Sequence, residues 1–499
     1  MNRYLHYATA ASLFFGCLPY RTTQKPEPTL VIEDHYDSAP AETTSSTAAR
    51  QTPWWETFGD PVLNALVERA IASSPDIRSS FARIRQADAV RRQARSAYFP
   101  QINAQGDLGY SRSLSGALGT SDAYTASASI PVSYEIDLFG RIDANYDAAR
   151  LGLFAARADT ETAALSLSAS VAEGWYDVIE ARSRRAILES QTERNESVLN
   201  LLRLRFAQGL SSAVDVHQQH ELVLATQASL QQVKALERVT QHQLAVLLGS
   251  APGDLPETRS AGALPPLPEF EPSADIGVPT NLLRDRPDVR AAQLRVKQAD
   301  YSVGVALASR FPSLTLNGSV GQDWLRVEGE LSQQVDSDGD GVADTAASQP
   351  FETSNNGWVW NAGATLSVPL FDGGNLLAST DEARGALAEA VANYDLTILN
   401  AIMEVENAIV QERAEATRRS LLQQQLEVAT LNVEASRQRY QQGLSDFLPV
   451  LNALVSSLNT ELELLSSHRL LISYRIQLQR ALGGSWTEGL GAKSDRVAS

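Results

Sequence analysis

Residues 205–216 read RFAQGLSSAVDV and residues 439–450 read RYQQGLSDFLPV, so the pattern Arg-aromatic-x-Gln-Gly-Leu-Ser occurs twice in this chain of 499 residues. Each copy interrupts a long run of residues without Gly or Pro, and the run over residues 386–442 is the clearest example. Because glycine accepts the left-handed backbone that often ends a helix, each motif predicts the turn of a helical hairpin. Ser211 and Ser445 would then cap the following helices.

The sequence contains an internal duplication. The segment SPDIRSSFARIRQAD at Ser74 returns as RPDVRAAQLRVKQAD at Arg286. Four residue pairs keep the same spacing across the two copies: Pro75 and Pro287, Gln86 and Gln298, Asp88 and Asp300, Pro100 and Pro312. A Pro-rich stretch without periodicity separates the copies, which is typical of a linker. We predict a signal peptide (1–16), an N-terminal arm (17–52), a first repeat (53–249), a linker (250–274), a second repeat (275–486) and a tail (487–499).

Four segments of about ten residues alternate between apolar and polar side chains, a pattern typical of membrane β-strands with one lipid-facing side. They cover residues 102–110, 124–134, 314–320 and 360–368, with Tyr and Trp towards their ends. An amphipathic sheet in a soluble protein would show the same alternation. A sheet in a membrane must close on itself, and the smallest such barrels need about eight strands. Three identical copies would supply twelve strands around one axis.

The helix predicted over residues 450–482 has two series of apolar side chains at heptad spacing. One series is Leu451, Leu458, Leu465 and Ile472, and the other is Leu464, Leu471 and Leu478. Two such seams on one helix indicate a packed neighbour on each side, as in a ring of helices.

Composition excludes several classes of function. A net charge of −17 without a basic stripe argues against a nucleic-acid partner. No phosphate-binding loop of the GxxxxGK[ST] type is present. His217 and His220 have no third ligand at metalloprotease spacing, and we predict solvated helix residues rather than a zinc site. We therefore expect no enzyme activity.

The N-terminus resembles the signal of a bacterial lipoprotein. Arg3 precedes a short apolar run, and Gly16 is followed by Cys17, the only cysteine of the chain. Such a run is too short to span a bilayer and is typical of a signal peptide. We expect Cys17 to be the acylated first residue of the mature protein, although an ordinary signal peptide beside an incidental thiol remains the alternative.

Residues from about 53 to 486 resemble the outer-membrane factor (TolC-like) family, and its lipoprotein branch in particular. The resemblance rests on PWWETFGDPVLNALVERAIASSPDIR at Pro53, YEIDLFGR at Tyr134, the Phe-Pro pairs before the first and third strands, and both glycine motifs. It implies a mainly α protomer with membrane β-strands: an internally duplicated subunit of a trimeric twelve-stranded β-barrel, continued by a long periplasmic α-helical barrel.

The resemblance also implies a function and partners. Members serve as passive exit ducts of tripartite export systems, together with a periplasmic adaptor and an inner-membrane pump. We expect a homotrimer in the outer membrane that exports drugs or other small molecules. The alternatives are the outer-membrane channel of a type I protein secretion system and a lipid-tethered periplasmic coiled-coil scaffold.

Two candidate sites follow from the resemblance. Adaptor docking is expected at the two helix tips, at Arg205, Gly209, Leu210, Ser211, Arg439, Gly443, Leu444 and Ser445. Capping chemistry without a partner is the alternative. Family members narrow the pore just inside the tip, often with an Asp nine residues after the second tip glycine; this chain has Asn452 there. We predict a gate of Leu451 and Asn452, with Asp446 or Asp215 as the nearest acidic candidates, although Asn452 could instead be a packing residue.

One acidic loop suggests a metal. VDSDGDGVAD places Asp336, Asp338, Asp340 and Asp344 at the spacing of a calcium-binding loop, with a glycine at the sharp turn. Ala347 stands where such loops have a bidentate Glu, so a solvated acidic hairpin is the alternative. Apart from this possible calcium and the N-terminal lipid, we expect no cofactor.

Overall fold

The computed structural model describes residues 35–38, 53–115, 119–252, 266–269, 279–335 and 345–487. The signal peptide, Cys17, the aspartates of the predicted calcium loop and most of the predicted linker lie outside these residues. Among the described residues, no helix is both long enough and apolar enough to cross a membrane.

Long helices make up most of both repeats. The α-helices are α1 (Pro61–Ser73), α2 (Pro75–Ser96), α3 (Arg141–Ala207), α4 (Ala213–Leu247), α5 (Leu282–Asp285), α6 (Pro287–Ala308), α7 (Asn375–Gln441) and α8 (Leu448–Leu482). Corresponding helices have equal lengths: 22 residues in α2 and α6, 67 in α3 and α7, and 35 in α4 and α8. Helix α7 begins well before the predicted residue 386, because a single Gly385 is tolerated inside a long helix.

The strands form one antiparallel sheet. They are β1 (Gln101–Ile102), β2 (Gln105–Ser115), β3 (Gly119–Ile136), β4 (Ser313–Val335) and β5 (Thr345–Ser367). Both β1 and β2 pair with β3, which pairs with β4, which pairs with β5. The short strands β1 and β2 are thus one strand interrupted near Asn103, and the predicted set of four strands is present.

The strand lengths differ from the prediction of about ten residues, which is a correction. Strands β4 and β5 each contain 23 residues, and their ladder runs from Ser313 opposite Ser367 to Val335 opposite Thr345. Alternating hydrophobicity identifies only the part of a strand that has an apolar face. Backbone hydrogen bonds continue to pair polar residues beyond that part.

The register of the sheet places the predicted apolar residues on one face. Ile130 lies opposite Val320, which lies opposite Trp360. The same alignment joins Ile102 with Val132 and Leu108 with Ala126. Directly opposite residues of paired strands share a face, so these side chains form one apolar surface. On the other face, Asn317 donates to Thr365 Oγ1 and Asn361 to Ser319 Oγ.

Two compact units can be distinguished, and each draws on both repeats. One consists of residues 88–151 and 297–389 and contains the sheet, and the other contains most of the helical residues. The predicted repeat and linker boundaries remain predictions.

The core of the helical unit explains the PWWETFGDP motif. Trp54, Trp55 and Phe58 lie on one 3-10 turn and are buried among residues of α1, α3, α4 and α8. Asp60 accepts hydrogen bonds from the Val62 and Leu63 amides and so caps α1. Its other oxygen accepts from Trp175 Nε1 at 2.7 Å, which ties the cap to α3.

A short piece of the N-terminal arm is attached to the same unit. The Glu406 carboxylate of α7 accepts the backbone amides of Asp37 and Ser38, at 2.7 and 3.0 Å. Arg413, two turns further along α7, donates to the Ser38 carbonyl. Tyr36 is buried. Residues 35–38 therefore form a strap held by both charge and burial.

Candidate functional site

Both repeated motifs form the same helix end. The Leu210 amide donates to the Arg205 carbonyl at 2.8 Å and the Gly209 amide to the Phe206 carbonyl at 2.9 Å. The second motif repeats both bonds, from Leu444 to Arg439 and from Gly443 to Tyr440. This is the Schellman pattern, in which the residue after the helix adopts a left-handed backbone. Gly209 has φ 74° and Gly443 φ 71°, and space around both is open, so the backbone alone requires glycine.

The predicted caps are wrong. Ser212, one residue after Ser211, caps α4: its hydroxyl accepts from the Asp215 amide, and the Asp215 carboxylate accepts from the Ser212 amide. This capping box has a recognisable Ser-x-x-acid signature in the sequence. In the second hairpin Phe447 occupies the cap position without a side-chain bond, and Pro449 follows in the first turn. Proline there needs no amide partner, so a capping serine is less important.

Arg205, Ser211 and Ser445 are half-buried. Ser211 Oγ donates to Asp215 Oδ2 at 2.9 Å. Ser445 Oγ is buried and has no hydrogen-bond partner among the described residues. The Arg205 guanidinium lies over the Tyr440 ring, 5.0 Å from its centroid.

These contacts pack the two helix tips against each other. The Tyr440 ring meets the Phe447 ring edge-on at 5.3 Å. The Tyr440 and Ser211 hydroxyls are 3.5 Å apart. Both rings belong to a small apolar cluster, which we call the tip cluster. Its buried members are Leu202, Phe447 and Val450, and the partly buried side chains packed against them are Val198, Val216, Tyr440, Leu451 and Leu454. Sequence reasoning missed Tyr440 and Phe447, although Tyr440 stands in the aromatic position of the repeated motif.

The outer surface of the tips carries exposed apolar side chains. Leu210 is 62% exposed and Leu444 is 65% exposed, and Phe206 and Leu448 are also exposed. Arg439 is exposed beside them. The predicted docking residues thus fall into two sets. Leu210, Leu444 and Arg439 are open to a partner, whereas Arg205 and Ser211 contact Tyr440 of the other hairpin and Ser445 is half-buried.

The predicted gate residues differ in burial and in their contacts. Leu451 is half-buried in the tip cluster, whereas Asn452 and Asp446 are exposed. Asp215 is engaged in the capping box of Ser212. Asp215 therefore has a structural task whether or not it also contributes charge to a gate.

A groove adjoins the tip cluster. It has a volume of about 840 Å³ and lies between α3, α7 and α8. Val198, Leu202 and Leu454 form part of its lining, and Arg194 and Glu461 are among its charged residues.

Away from the tips, charged pairs join the helices. Arg182 and Arg185 of α3 donate to the two oxygens of Glu237 on α4, at 3.0 and 3.1 Å. Burial alone would raise the pKa of Glu237, but these hydrogen bonds outweigh it and lower the pKa. On α8, Arg469 donates to Asp177 Oδ1 at 2.8 Å; burial raises the pKa of Asp177, and Arg469 offsets it only in part.

No three His, Cys, Asp or Glu side chains among the described residues are arranged to hold a metal. His217 and His220 are both exposed on α4. The predicted calcium loop lies outside the described residues, and calcium binding by Asp336, Asp338, Asp340 and Asp344 stays a prediction.

Several known proteins resemble this chain over most of its length. A nodulation protein T of Rhizobium leguminosarum bv. trifolii is 28% identical over 405 residues, which are 80% of each chain. The pyoverdine export outer membrane protein OpmQ of Pseudomonas aeruginosa is 29% identical over 456 residues, 88% of this chain and 89% of that protein.

Solved structures show the same fold. The outer-membrane channel OprN matches with a TM-score of 0.79 at 26% identity, over 94% of this chain and 99% of its own. The CmeC outer membrane channel of Campylobacter jejuni also has a TM-score of 0.79, at 20% identity, over 97% and 98% of the two chains.

The predicted resemblance to the outer-membrane factor family is confirmed by a match over both repeats. The matched segments, residues 66–250 and 278–484, include α3, α4, α7, α8 and both tips. This chain is a member of the outer membrane efflux protein family.

Proposed function

We propose that this chain is the outer-membrane exit duct of a tripartite efflux system, and that it works as a passive homotrimer. One observation carries the proposal: the sheet is open. Strands β1 and β2 lie at one edge and β5 at the other, and among the described residues neither edge has a second partner. An open edge cannot be left in hydrocarbon. Copies of the same chain are the partners that close the ring with the fewest distinct contacts.

The dimensions of the apolar face support insertion in a membrane. From Leu314 to Trp324 this face of β4, interrupted by Gln322, extends for about 33 Å; at a tilt of about 45° it covers about 23 Å, close to the height of a lipid-facing band. A charged row follows on the same face, where Arg112 lies opposite Asp122 and Glu328 opposite Glu352. The end of the apolar face is therefore marked by side chains of the charged type.

The two helix tips are the proposed docking surface for a periplasmic adaptor. Leu210 and Leu444 present exposed apolar side chains at equivalent positions of the two hairpins. A trimer would offer six such positions. An adaptor that packs apolar side chains against them would bury surface that is now open to water.

Lipid anchoring through Cys17 is part of the proposal, as are an inner-membrane pump and a small-molecule cargo. The relatives differ in the cargo that their names print: pyoverdine for OpmQ and toluene for TtgC of Pseudomonas putida. A passive duct leaves the choice of cargo to its pump. No catalytic role is proposed.

The test is membrane fractionation with native mass spectrometry of the full-length protein. We expect outer-membrane localisation, a trimer in mild detergent and a diacylglycerol-type mass increase that is lost in Cys17→Ser. A monomer in mild detergent would contradict the duct and favour a periplasmic scaffold. Co-purification with an ATP-binding-cassette transporter would favour protein secretion instead.

A further inference from the structure

One aromatic contact joins the first repeat to the second, next to the paired strands β3 and β4. Phe139 follows β3 and Phe311 precedes β4, and their rings stack with centroids 4.9 Å apart and planes 15° apart. Directly beside this stack, Ile136 lies opposite Leu314 at the end of the ladder between β3 and β4. Ile136 is three residues before Phe139, and Leu314 is three residues after Phe311. The stack and the register are thus one local unit.

The second member of this stack has a counterpart in the first repeat. Phe99 precedes β1 in a Phe-Pro pair, as Phe311 precedes β4. The Phe99 amide donates to the Ser96 carbonyl at 3.0 Å, and the Phe311 amide donates to the Ala308 carbonyl at 3.0 Å. Both phenylalanines therefore leave their helix through the same turn.

The first member has a counterpart in the second repeat. Leu370 and Phe371 follow β5, as Leu138 and Phe139 follow β3. An aspartate next to each pair caps the long helix: the Asp372 carboxylate accepts the Leu376 amide at 2.7 Å. Asp137, which precedes its Leu-Phe pair, accepts the Asp143 amide at 2.9 Å. Both segments therefore place a Leu-Phe pair between the end of a strand and a long helix whose first turn donates to a nearby aspartate.

Among the described residues, no aromatic ring stacks on either counterpart. Phe371 is 93% exposed and Phe99 is 57% exposed. They adjoin β5 and β1, which lie at opposite edges of the sheet. A large apolar ring left almost completely in water is the kind of surface that marks an interaction site.

We infer that Phe371 of one copy stacks on Phe99 of a second copy, as Phe139 stacks on Phe311 within the chain. The same inference sets the register of the intermolecular ladder. Val368 lies three residues before Phe371, and Ile102 lies three residues after Phe99, so Val368 is placed opposite Ile102 of the second copy. The occupant of this surface is a second copy because the chain already contains the same contact once. The inference rests on the proposed trimer and gives that trimer its contacts.

Thiol cross-linking of the full-length chain tests this contact, because Cys17 is its only cysteine. The test pair is Phe99→Cys with Phe371→Cys, treated with a short bis-maleimide and then fully denatured. We expect covalent dimers and trimers on the gel, at least tenfold above either single variant. The matched control pair is Phe139→Cys with Phe311→Cys, which should form a link within one chain and give no ladder.

A second pair, Ile102→Cys with Val368→Cys, tests the register without touching the phenylalanines. Native mass spectrometry is run on every variant. A trimer in which the control pair links while neither test pair links between chains would overturn the inference and leave the duct intact. If the unmodified protein forms no trimer, the proposed function itself fails, and this contact fails with it.

Discussion

Arg205 and Tyr440 are joined by a cation–π contact: the guanidinium lies 5.0 Å from the centroid of the ring. Arg205 belongs to the last turn of α3 and Tyr440 to the last turn of α7, so the contact joins the two hairpins of one chain at their tips. The Tyr440 ring also packs on Phe447. Three interactions of different kinds, including the approach of the Ser211 hydroxyl, therefore converge on one side chain.

Removing this ring should loosen the tips. Tyr440→Ala loses the cation–π contact and an aromatic pair, each about 0.5–1.5 kcal/mol. A combined loss of about 2 kcal/mol shifts an equilibrium between closed and open tips by roughly 30-fold. We expect a larger single-channel conductance in planar bilayers. Tyr440→Phe is the control, since it keeps the ring and should stay near the unmodified conductance; an unchanged Tyr440→Ala channel would show that this contact does not hold the tips closed.

The gate prediction concerns Asn452. Its side chain is exposed, whereas Leu451 beside it packs into the tip cluster. If Asn452 closes the pore by hydrogen bonds, Asn452→Ala should raise conductance and drug leakage. Asn452→Asp should instead introduce a ring of like charges that favours cations and opens further as the carboxylates ionise. Equal conductance in all three proteins would assign Asn452 to packing.

The capping box gives a local stability prediction. Ser212→Ala removes the hydroxyl that accepts the Asp215 amide, and loss of such a cap costs about 1 kcal/mol. We expect faster amide hydrogen exchange in the first turn of α4, over residues 213–216. Ser197→Ala is the comparison, because its hydroxyl donates to the Glu193 carbonyl within α3 and caps no helix. Equal exchange rates in the two variants would show that the Ser212 cap does not stabilise the first turn of α4.

Glu237 predicts a pH dependence. Hydrogen bonds from Arg182 and Arg185 lower its pKa in the folded protein despite burial. Its stabilising contribution is therefore complete above the unfolded pKa of about 4.3 and is lost as pH falls through the lower folded pKa. Glu237→Gln should reduce the melting temperature at pH 7 and match the unmodified protein near pH 3. Glu427 is an exposed residue of α7, and Glu427→Gln should leave the melting temperature unchanged at both pH values. A constant difference across this range would contradict the linkage.

The N-terminal strap can be released by one substitution. Glu406→Ala removes the carboxylate that accepts the Asp37 and Ser38 amides. We expect trypsin to cleave the arm after Arg21 and Arg50 several-fold faster, since local opening controls such cleavage. Glu427→Ala serves as the matched control on the same helix. If cleavage rates stay equal, Tyr36 and Arg413 alone hold the strap.

Much of this fold could be predicted from sequence because its signals are local and repeated. Long runs without Gly or Pro predicted α3 and α7, and the tip glycines marked both turns. The prediction of which side chains form the apolar face of the sheet is also confirmed, since period-two alternation sets which side chains share a face. These features depend on nearest neighbours along the chain, and the duplication presents each of them twice.

Features that depend on partners across the fold were harder to predict. Ser211 and Ser212 are adjacent serines, and only the position of Asp215 relative to the helix start selects the second one as the cap. The sequence alone suggests Asp215 as a gate residue, whereas the structure shows that its carboxylate takes part in the cap. The length of β4 and β5 follows from pairing with each other beyond the apolar part, which no pattern within either strand shows.

The equal lengths of corresponding helices, 67 residues for α3 and α7 and 35 for α4 and α8, have a consequence for how such genes can change. If one helical hairpin alone gained seven residues in each helix, its turn would extend beyond the turn of the other hairpin. A tolerated insertion in one hairpin should therefore be accompanied by an insertion of equal length in the other. The β-hairpins already differ in size between the halves, with 11 and 18 residues in β2 and β3 but 23 in each of β4 and β5, so a change of length there is not bound by the same rule.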